Sequence, residues 1–205
     1  IAREKAGIIK PYGLAVMAPQ RPEALTVIRA VCEAQHARLH DVAAEWRWQP
    51  LSYSWERSVF DLHGEARSYP ALEIPLAGPH QMLNAATAIA TAEQLQGQGL
   101  PISVEGIRQG VKQVQWEGRL ETVSRQPWVV LDGAHNRDSA CCLREALMSC
   151  FQYRRLILVL GISANKNLEG IIEELTPLAT LTVATRAMVP RAAPPQRVAA
   201  LAAKW

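Results

Sequence analysis

The stretch "VVLDGAHNRDSACCLREAL", residues 129–147, decides the fold class. It begins with apolar residues, turns at Asp132-Gly133-Ala134, and continues from Arg137 with apolar residues at helical spacing. A short apolar run that passes through a small turn into a helical pattern is typical of a strand–helix unit in an α/β protein. We therefore predict a buried strand over 128–131 and a helix over 137–150.

The same alternation continues on the C-terminal side. We predict further elements in the order strand 155–160, helix 167–175, strand 180–184 and a final helix that runs to Trp205. Strands joined by helical crossovers are parallel, and ligands bind at their carboxyl ends. The loops "DGAHN" (132–136) and "GISANKN" (161–167) follow two such strands, so we expect one parallel sheet with both loops at one rim.

The N-terminal part of the chain alternates less regularly. Tryptophan, tyrosine and valine alternate with polar residues between Asp41 and Leu76, which predicts antiparallel strands with a hairpin turn at His63-Gly64-Glu65. The remaining predicted elements are a helix end closed by Gly7, a strand over 12–19, and helices over 21–39, 79–96 and 104–114, the last capped by Ser103.

The change of pattern near residue 118 indicates two domains. We predict one domain over 1–118 and a second over 119–205. The chain begins and ends inside helical patterns without caps, at Ile1 and Trp205, so we expect an internal segment of a longer protein.

The composition excludes several classes of protein. The 205 residues are 49% hydrophobic and carry a net charge of only +3, with basic residues dispersed. This is typical of a globular domain without an electrostatic footprint for nucleic acid. No apolar run approaches the roughly 18 residues of a membrane span. The four cysteines lack metal-ligand spacing, so we expect free thiols and a cytoplasmic protein.

The turn after the strand at 128–131 contains three polar side chains that could bind a ligand. Asp132, His135 and Asn136 precede the N-terminus of a predicted helix, whose N–H groups favour anions. A carboxylate there can accept hydrogen bonds from a ribose hydroxyl, and an imidazole can contact a phosphate or a metal-bound group. The alternative is that Asp132 only caps the helix, which does not account for His135 and Asn136 in the same turn.

Three further residues are individually ambiguous. Asn84 lies one helical turn after His80, where an amide could contact a base edge or make a local polar contact. Arg119 lies on a glycine turn at the domain boundary, where a guanidinium could reach a phosphate. Lys5 has the pattern of a solvated helix lysine.

Four segments together resemble a known family. The segments "IAREKAGIIKP", "LAGPHQMLNAATAIATAEQL", "WEGRLETV" and "VVLDGAHNRDSA" resemble, in this order and spacing, folylpolyglutamate synthases, which are often bifunctional with dihydrofolate synthase, in the Mur ligase superfamily. The resemblance implies an α/β chain: the end of a central ATP-binding domain with antiparallel strands, followed by a Rossmann-like ligase domain with a mainly parallel sheet.

The resemblance also implies a reaction. ATP and Mg²⁺ would serve an acid–amino-acid ligase that phosphorylates a carboxylate of folate or dihydropteroate, and the amine of L-glutamate would then attack the acyl phosphate. The implied partners are these small molecules, with no nucleic acid, no membrane and a monomeric protein.

The resemblance assigns roles residue by residue. Two residues would have both a binding and a catalytic role. Lys5 would be carbamylated and bind a second Mg²⁺, and His135 would lie near the phosphates. The other matches are Asn84 near the adenine, Arg119 at a phosphate, Asp132 at the ribose, and Lys166 near the acyl phosphate or the incoming glutamate.

The sequence departs from the family pattern at three places. Arg137 stands where the family usually has proline, and Asn165 and Asn167 flank Lys166 where acids are usual. The chain also contains no G-x-x-x-x-G-K-[ST] phosphate loop, so we expect these 205 residues alone to be inactive.

Two alternatives stay open at this point. One is a Mur-type ligase that adds an amino acid in cell-wall synthesis, although "DGAHN" with "EKAGIIK" favours the folate branch. The other is a nucleotide-binding module without catalysis of its own.

Overall fold

The computed structural model describes residues 1–205, which form two compact units. The first unit comprises residues 1–52, 58–75 and 79–114, and the second comprises 115–205 with the short segments 53–57 and 76–78. The domain boundary predicted between residues 118 and 119 stays a prediction. The two units are defined by how compactly their residues pack, whereas a domain boundary is a statement about independently folding parts. None of the helices is long and apolar enough to cross a membrane.

A strand–helix–strand unit opens the first compact unit. It consists of α1 (Ala2–Ala6), β1 (Leu14–Met17), α2 (Pro22–Ala34) and β2 (Arg38–Asp41), with β1 and β2 parallel. The helix predicted over 21–39 was too long, because the chain turns left-handed at His36 (φ 51°) and residues 38–41 form the missed strand β2. A short helix, α3 (Val42–Glu45), was also missed, and Asp41 caps it by accepting from Ala43 N at 3.1 Å.

Three strands and two helices complete this unit. The strands β3 (Arg47–Tyr53), β4 (Ser58–His63) and β5 (Ser68–Ile74) form a sheet in sequence order, with β4 and β5 antiparallel. The predicted hairpin turn is confirmed, since Gly64 N donates to Arg67 O between β4 and β5. The helices α4 (Pro79–Gly97) and α5 (Val104–Lys112) follow, and Ser103 caps α5 by accepting from Gly106 N at 2.9 Å.

The second compact unit alternates strands and helices. Its elements are β6 (Glu121–Arg125), β7 (Trp128–Leu131), α6 (Arg137–Cys150), β8 (Ile157–Leu160), α7 (Leu168–Leu175), a 3-10 turn (Thr176–Leu178), β9 (Leu181–Ala184) and α8 (Pro195–Ala202). Each strand predicted from residue 128 onward is therefore present. The prediction that the strand over 128–131 is buried was wrong, since β7 pairs only with β6 and its Val129 and Leu131 are 40% and 48% exposed.

The pairing of these strands differs from the single parallel sheet that we predicted. β8 and β9 pair in parallel through the α7 crossover, as expected. β7 instead pairs with β6 in an antiparallel hairpin, and the two pairs form separate two-stranded sheets. A hairpin needs only the short connection at Gln126-Pro127, so β7 finds a local partner without any crossover.

Helix α7 is the centre of the larger of two buried clusters in the second unit. Ile171, Ile172 and Val198 are fully buried there, together with Ala140 from α6 and Leu160 from β8. Because α7 packs its apolar residues against both neighbouring helices, the loops that precede α6 and α7 are held on a rigid base.

Candidate functional site

Arg119 lies on a tight turn between two residues with left-handed backbone. Gly118 has φ 67°, which suits a glycine, and its N–H donates to Glu121 Oε2 at 2.8 Å. Leu120 has φ 48°, which is unusual for a residue with a side chain, and is only 3% exposed. The burial of Leu120 offsets its backbone strain, so the turn holds Arg119 in one place.

Asp132 joins this turn to the one that follows β7. Its Oδ2 accepts from Leu120 N at 3.0 Å, and its Oδ1 accepts from Ala134 N at 2.8 Å. Gly133 N also donates to Gly118 O at 2.8 Å. The structure thus brings Asp132 and Arg119 together, as a Cβ built on Gly133 would lie 3.4 Å from Arg119 Nη1.

His135 and Asn136 occupy the end of the same turn. His135 Nδ1 lies 3.0 Å from Gly133 O, and since a carbonyl only accepts, Nδ1 carries the proton and Nε2 is directed to other partners. Asn136 caps α6 by accepting from Ser139 N at 2.8 Å, and Ser139 Oγ accepts in return from Asn136 N. Asn136, rather than Asp132, is therefore the capping residue of α6.

Trp116 is a neighbour of Arg119 that sequence reasoning did not single out. The Arg119 guanidinium carbon lies 6.0 Å from the centre of the Trp116 ring, which is 61% exposed. A guanidinium at this distance over an aromatic face is attracted by the ring. The signal in the sequence was an aromatic residue three positions before the arginine of a glycine turn.

The two joined turns have a defined chemical capacity. They present a half-buried guanidinium, an exposed carboxylate and an exposed imidazole beside the N-terminus of a 14-residue helix. Each Asp132 oxygen accepts one backbone N–H and retains a lone pair for a hydroxyl. Such a set suits a ligand with both phosphate and sugar hydroxyl groups.

Lys166 lies in the loop after β8. Its N–H donates to Ser163 O at 3.0 Å, and its side chain is exposed. It borders an open depression of about 340 Å³ that is also lined by Arg197 from the first turn of α8. Asn167, where the family resemblance led us to expect an acid, caps α7 by accepting from Gly170 N at 3.0 Å.

The two remaining predicted site residues belong to the first compact unit. Asn84 is exposed on α4 and donates to Gln81 Oε1 at 3.0 Å, which leaves its own carbonyl oxygen for another donor. Lys5 is exposed on α1. No group of three or more His, Cys, Asp or Glu side chains is arranged to hold a metal ion. A carbamate on Lys5 would supply one oxygen ligand group, which fits Mg²⁺ only if phosphates and water supply the rest.

Comparison with known families identifies the C-terminal part of the chain. Residues 118–204 match the family described as Mur ligase, glutamate ligase domain. This match contains Arg119, Asp132, His135 and Lys166.

Individual proteins match over almost the whole chain. The chain is 36% identical to a dihydrofolate synthase/folylpolyglutamate synthase of Bacillus subtilis over 183 residues, or 87% of the chain. It is 32% identical to the corresponding protein of Mycobacterium tuberculosis over 200 residues, or 94% of the chain. It spans only 42% and 41% of the length of these two proteins.

A solved structure confirms the predicted fold class. Folylpolyglutamate synthase of Mycobacterium tuberculosis, complexed with ADP, superposes with a TM-score of 0.90 at 31% identity, over 99% of this chain and 46% of that one. The α/β chain, with an antiparallel sheet followed by parallel strand pairing, therefore has the architecture that the resemblance implied.

Proposed function

The chain belongs to the folylpolyglutamate synthase/dihydrofolate synthase family of the Mur ligase superfamily, and from this premise we propose that it forms part of an ATP-dependent ligase. The ligase adds L-glutamate to a carboxylate of folate or dihydropteroate. The whole activity belongs to a longer protein, because the chain spans 42% of the Bacillus relative.

One observation carries the proposal. The Arg119 turn and the turn that contains Asp132 and His135 are joined by two hydrogen bonds, Leu120 N to Asp132 Oδ2 and Gly133 N to Gly118 O. A guanidinium, a carboxylate and an imidazole are therefore fixed in one place by backbone contacts. This favours a preorganised nucleotide site over a set of separate surface residues.

We assign Arg119 and Asp132 to opposite chemical parts of the nucleotide. Arg119 binds a phosphate, for which a guanidinium with several N–H donors is suited. Asp132 accepts from a ribose hydroxyl with the lone pairs that its backbone contacts leave over. The relative from Mycobacterium tuberculosis was solved with ADP, which supports nucleotide binding, and the assignment to these two residues is our proposal.

We assign His135 and Lys166 to the transferring phosphate. With Nδ1 donating to Gly133 O, His135 keeps Nε2 for contact with a phosphate. Lys166 stabilises the negative charge of the acyl phosphate or a carboxylate of the incoming glutamate. The lysine ammonium keeps charge neutralised while the phosphoryl group moves, and the imidazole helps to position the phosphate.

Lys5 and Asn84 take the roles that the family resemblance implies. Asn84 contacts the adenine, and a carbamate on Lys5 provides oxygen ligands for a second Mg²⁺. Mg²⁺, when bound, neutralises phosphate charge and polarises the reacting phosphoryl group. Support for these two roles comes from the family alone.

The proposed reaction has two steps, each with one bond formed and one bond broken. A carboxylate oxygen of the folate substrate attacks the γ-phosphorus of ATP, and ADP leaves as the bond to the β-phosphate oxygen breaks. The amine of glutamate then attacks the acyl carbon, and phosphate leaves as the amide forms and the amine loses its protons.

The two alternative functions are weaker. A cell-wall ligase would share the Mur ligase domain, but the relatives that cover most of the chain are named for folate enzymes. A nucleotide-binding module without catalysis would keep the joined turns and would not need Lys166.

For the protein as a whole we propose a cytoplasmic monomer.

The test uses the complete product of the gene that encodes this chain. ADP release from ATP is measured with dihydropteroate or tetrahydrofolate and L-glutamate, each omitted in turn. The proposal predicts ADP release that requires both the pterin substrate and glutamate, with a glutamylated product detected by mass spectrometry. Nucleotide binding without product would favour the module, and activity with only a cell-wall precursor would favour the other ligase branch.

A further inference from the structure

Arg137 is an unexpected residue for the first position of α6. The N-terminus of a helix carries a partial positive charge, so an arginine there is unfavourable by itself. Its side chain runs instead to α7, where Nε lies 3.1 Å from Glu174 Oε1 and Nη2 lies 3.2 Å from Glu173 Oε2. Two neighbouring carboxylates thus hold one guanidinium, and they offset the unfavourable position.

Glu174 holds α6 at a second point. Arg144 Nη1 lies 2.6 Å from Glu174 Oε2, in an ion pair that lacks the alignment of a hydrogen bond. Glu174 is only 8% exposed, so its charge is largely removed from water and depends on its two arginine partners. Arg137 and Arg144 are two helical turns apart, which fixes the rotation of α6 against α7.

The aliphatic part of Arg137 packs on the first turn of α7. A Cβ built on Gly170 would lie 3.2 Å from Arg137 Cβ, 3.1 Å from its Cδ and 2.8 Å from Asn167 Nδ2. A side chain at residue 170 would therefore displace the Arg137 and Asn167 side chains from their present positions. Gly170 permits the close approach, and Arg137 fills the space that it leaves.

Arg137 connects the two helices that follow the two loops of the candidate site. His135 and Asn136 directly precede Arg137, and Lys166 and Asn167 directly precede α7. No strand pairing joins these loops, because β7 and β8 belong to separate sheets. The packing of Arg137 beside Gly170 joins the start of α6 to the first turn of α7. Its ion pairs with Glu173 and Glu174 anchor it to the last turn of the same short helix. Together these contacts set the position of one loop relative to the other.

We propose that Arg137 is a positioning residue, which holds the loop 132–136 against the loop 161–167 and thereby sets His135 relative to Lys166. The inference rests on the proposed function, since it concerns the same phosphoryl-transfer site. Arg137 does not contact the reacting groups itself. Its guanidinium connects two elements whose preceding residues would do so, and small displacements of such groups slow a reaction strongly.

The test compares Arg137→Gln and Arg137→Lys in the complete gene product, with Arg154→Gln at an exposed position as the control. We expect Arg137→Gln to lower kcat by about tenfold to a hundredfold, with a small change in the melting temperature. Arg137→Lys should restore only part of kcat, because one ammonium cannot bind two carboxylates as a planar guanidinium does. The control should match the wild type.

A double-mutant cycle isolates the contact. Glu174→Gln and Arg137→Gln should each lower kcat, and the double variant should lose less than the two single losses combined, because both variants remove the same contact. Additive losses, or a kcat unchanged by Arg137→Gln, would overturn the inference.

Hydrogen exchange distinguishes this inference from the proposed function. Amides of residues 133–136 and 162–167 should exchange faster in Arg137→Gln than in the wild type, whether or not ligase activity is found. Faster exchange in a protein without ligase activity would leave the contact in place and remove the proposed function. Unchanged exchange in both loops would overturn the contact.

Discussion

The two ring nitrogens of His135 have different surroundings. Nδ1 lies 3.0 Å from Gly133 O within its own turn, so this nitrogen orients the ring. Nε2 is left for a ligand. The two roles can be tested separately, because the side-chain amide of asparagine can replace Nδ1 and that of glutamine can replace Nε2.

We expect His135→Gln to retain more activity than His135→Asn in the complete gene product. The terminal amide nitrogen of glutamine falls near the position of Nε2, whereas that of asparagine falls near Nδ1 and reaches only Gly133 O. Loss of an oriented polar group at such a site costs about a hundredfold in kcat, so His135→Asn should approach that loss. A kcat equal to that of the wild type in both variants would return His135 to a purely local role.

The sequence itself singled out Asp132 and His135, because they stand in a turn between a strand and a helix. Arg119 was ambiguous by itself and took its role from the family resemblance. The sequence assigned helix capping as the alternative role of Asp132, whereas Asn136 is the cap and Asp132 instead joins two turns. It missed the contact of Arg137 with Glu173 and Glu174. Such a contact depends on how two helices pack, and local periodicity carries no information on it.

Helix α7 is the element on which the second compact unit depends. Ile171 and Ile172 have no exposed surface, and the helix lies between α6 and α8. We therefore expect a change in this helix to affect the whole unit.

Ile172→Ala should lower the free energy of unfolding of the second unit by about 2–5 kcal/mol, because a large side chain is replaced by a cavity. Ile172→Val removes one methylene group and should cost about 0.5–1.5 kcal/mol. Urea denaturation of the two variants measures the difference. A loss below about 1 kcal/mol for the alanine variant would show that the core closes around the gap.

The first compact unit contains a buried phenol with a charged partner. Tyr69 on β5 is fully buried, and its hydroxyl donates to Glu93 Oε1 on α4 at 2.6 Å. Burial first, and then the hydrogen bond to Glu93, raises the pKa of Tyr69 above its ordinary value. The protonated phenol is therefore favoured in the folded state.

This raised pKa gives the stability of the first unit a pH dependence. Stabilisation should be complete below the unfolded pKa of about 10 and should be lost as pH rises through and above that value. Tyr69→Phe keeps the packed ring and removes the titration. The urea midpoint of the wild type should fall more than that of Tyr69→Phe between about pH 8 and about pH 10.5. Parallel falls in both proteins would contradict the assignment.

Helices with a clear apolar periodicity were predicted well. Helix ends that depend on a left-handed residue were not. The helices α4, α5 and α6 begin within one residue of the predicted positions. The overrun of α2 came from apolar residues that continue past the helix end, at which His36 turns left-handed. Local spacing does not encode that turn.

At the scale of the whole molecule, strand pairing was the least predictable feature. The sequence predicted each strand from residue 128 onward, but the hairpin with β6 gives β7 a local partner and leaves β8 and β9 as a separate pair. One face of that pair exposes Ile157, Val159, Leu181 and Val183, which are opposite each other in register. Pairing depends on residues far apart in the chain, which local patterns do not specify.

The residues assigned to the proposed ligase are not all in one compact unit. Lys5 and Asn84 lie in the first unit, and Arg119, Asp132, His135 and Lys166 lie in the second. The chain itself contains no G-x-x-x-x-G-K-[ST] loop. Function should therefore be measured on the complete gene product.

The proposed ligase is tested most directly by the steady-state rate of ADP release that depends on folate and glutamate. The rate is measured for the complete gene product and for its Arg119→Ala variant. Arg155→Ala, at an exposed position, is the control. The account predicts a rate for Arg119→Ala that is lower by about a hundredfold, with the rate of the control unchanged. A wild-type rate that needs neither folate nor glutamate, or an Arg119→Ala rate equal to that of the control, would contradict it.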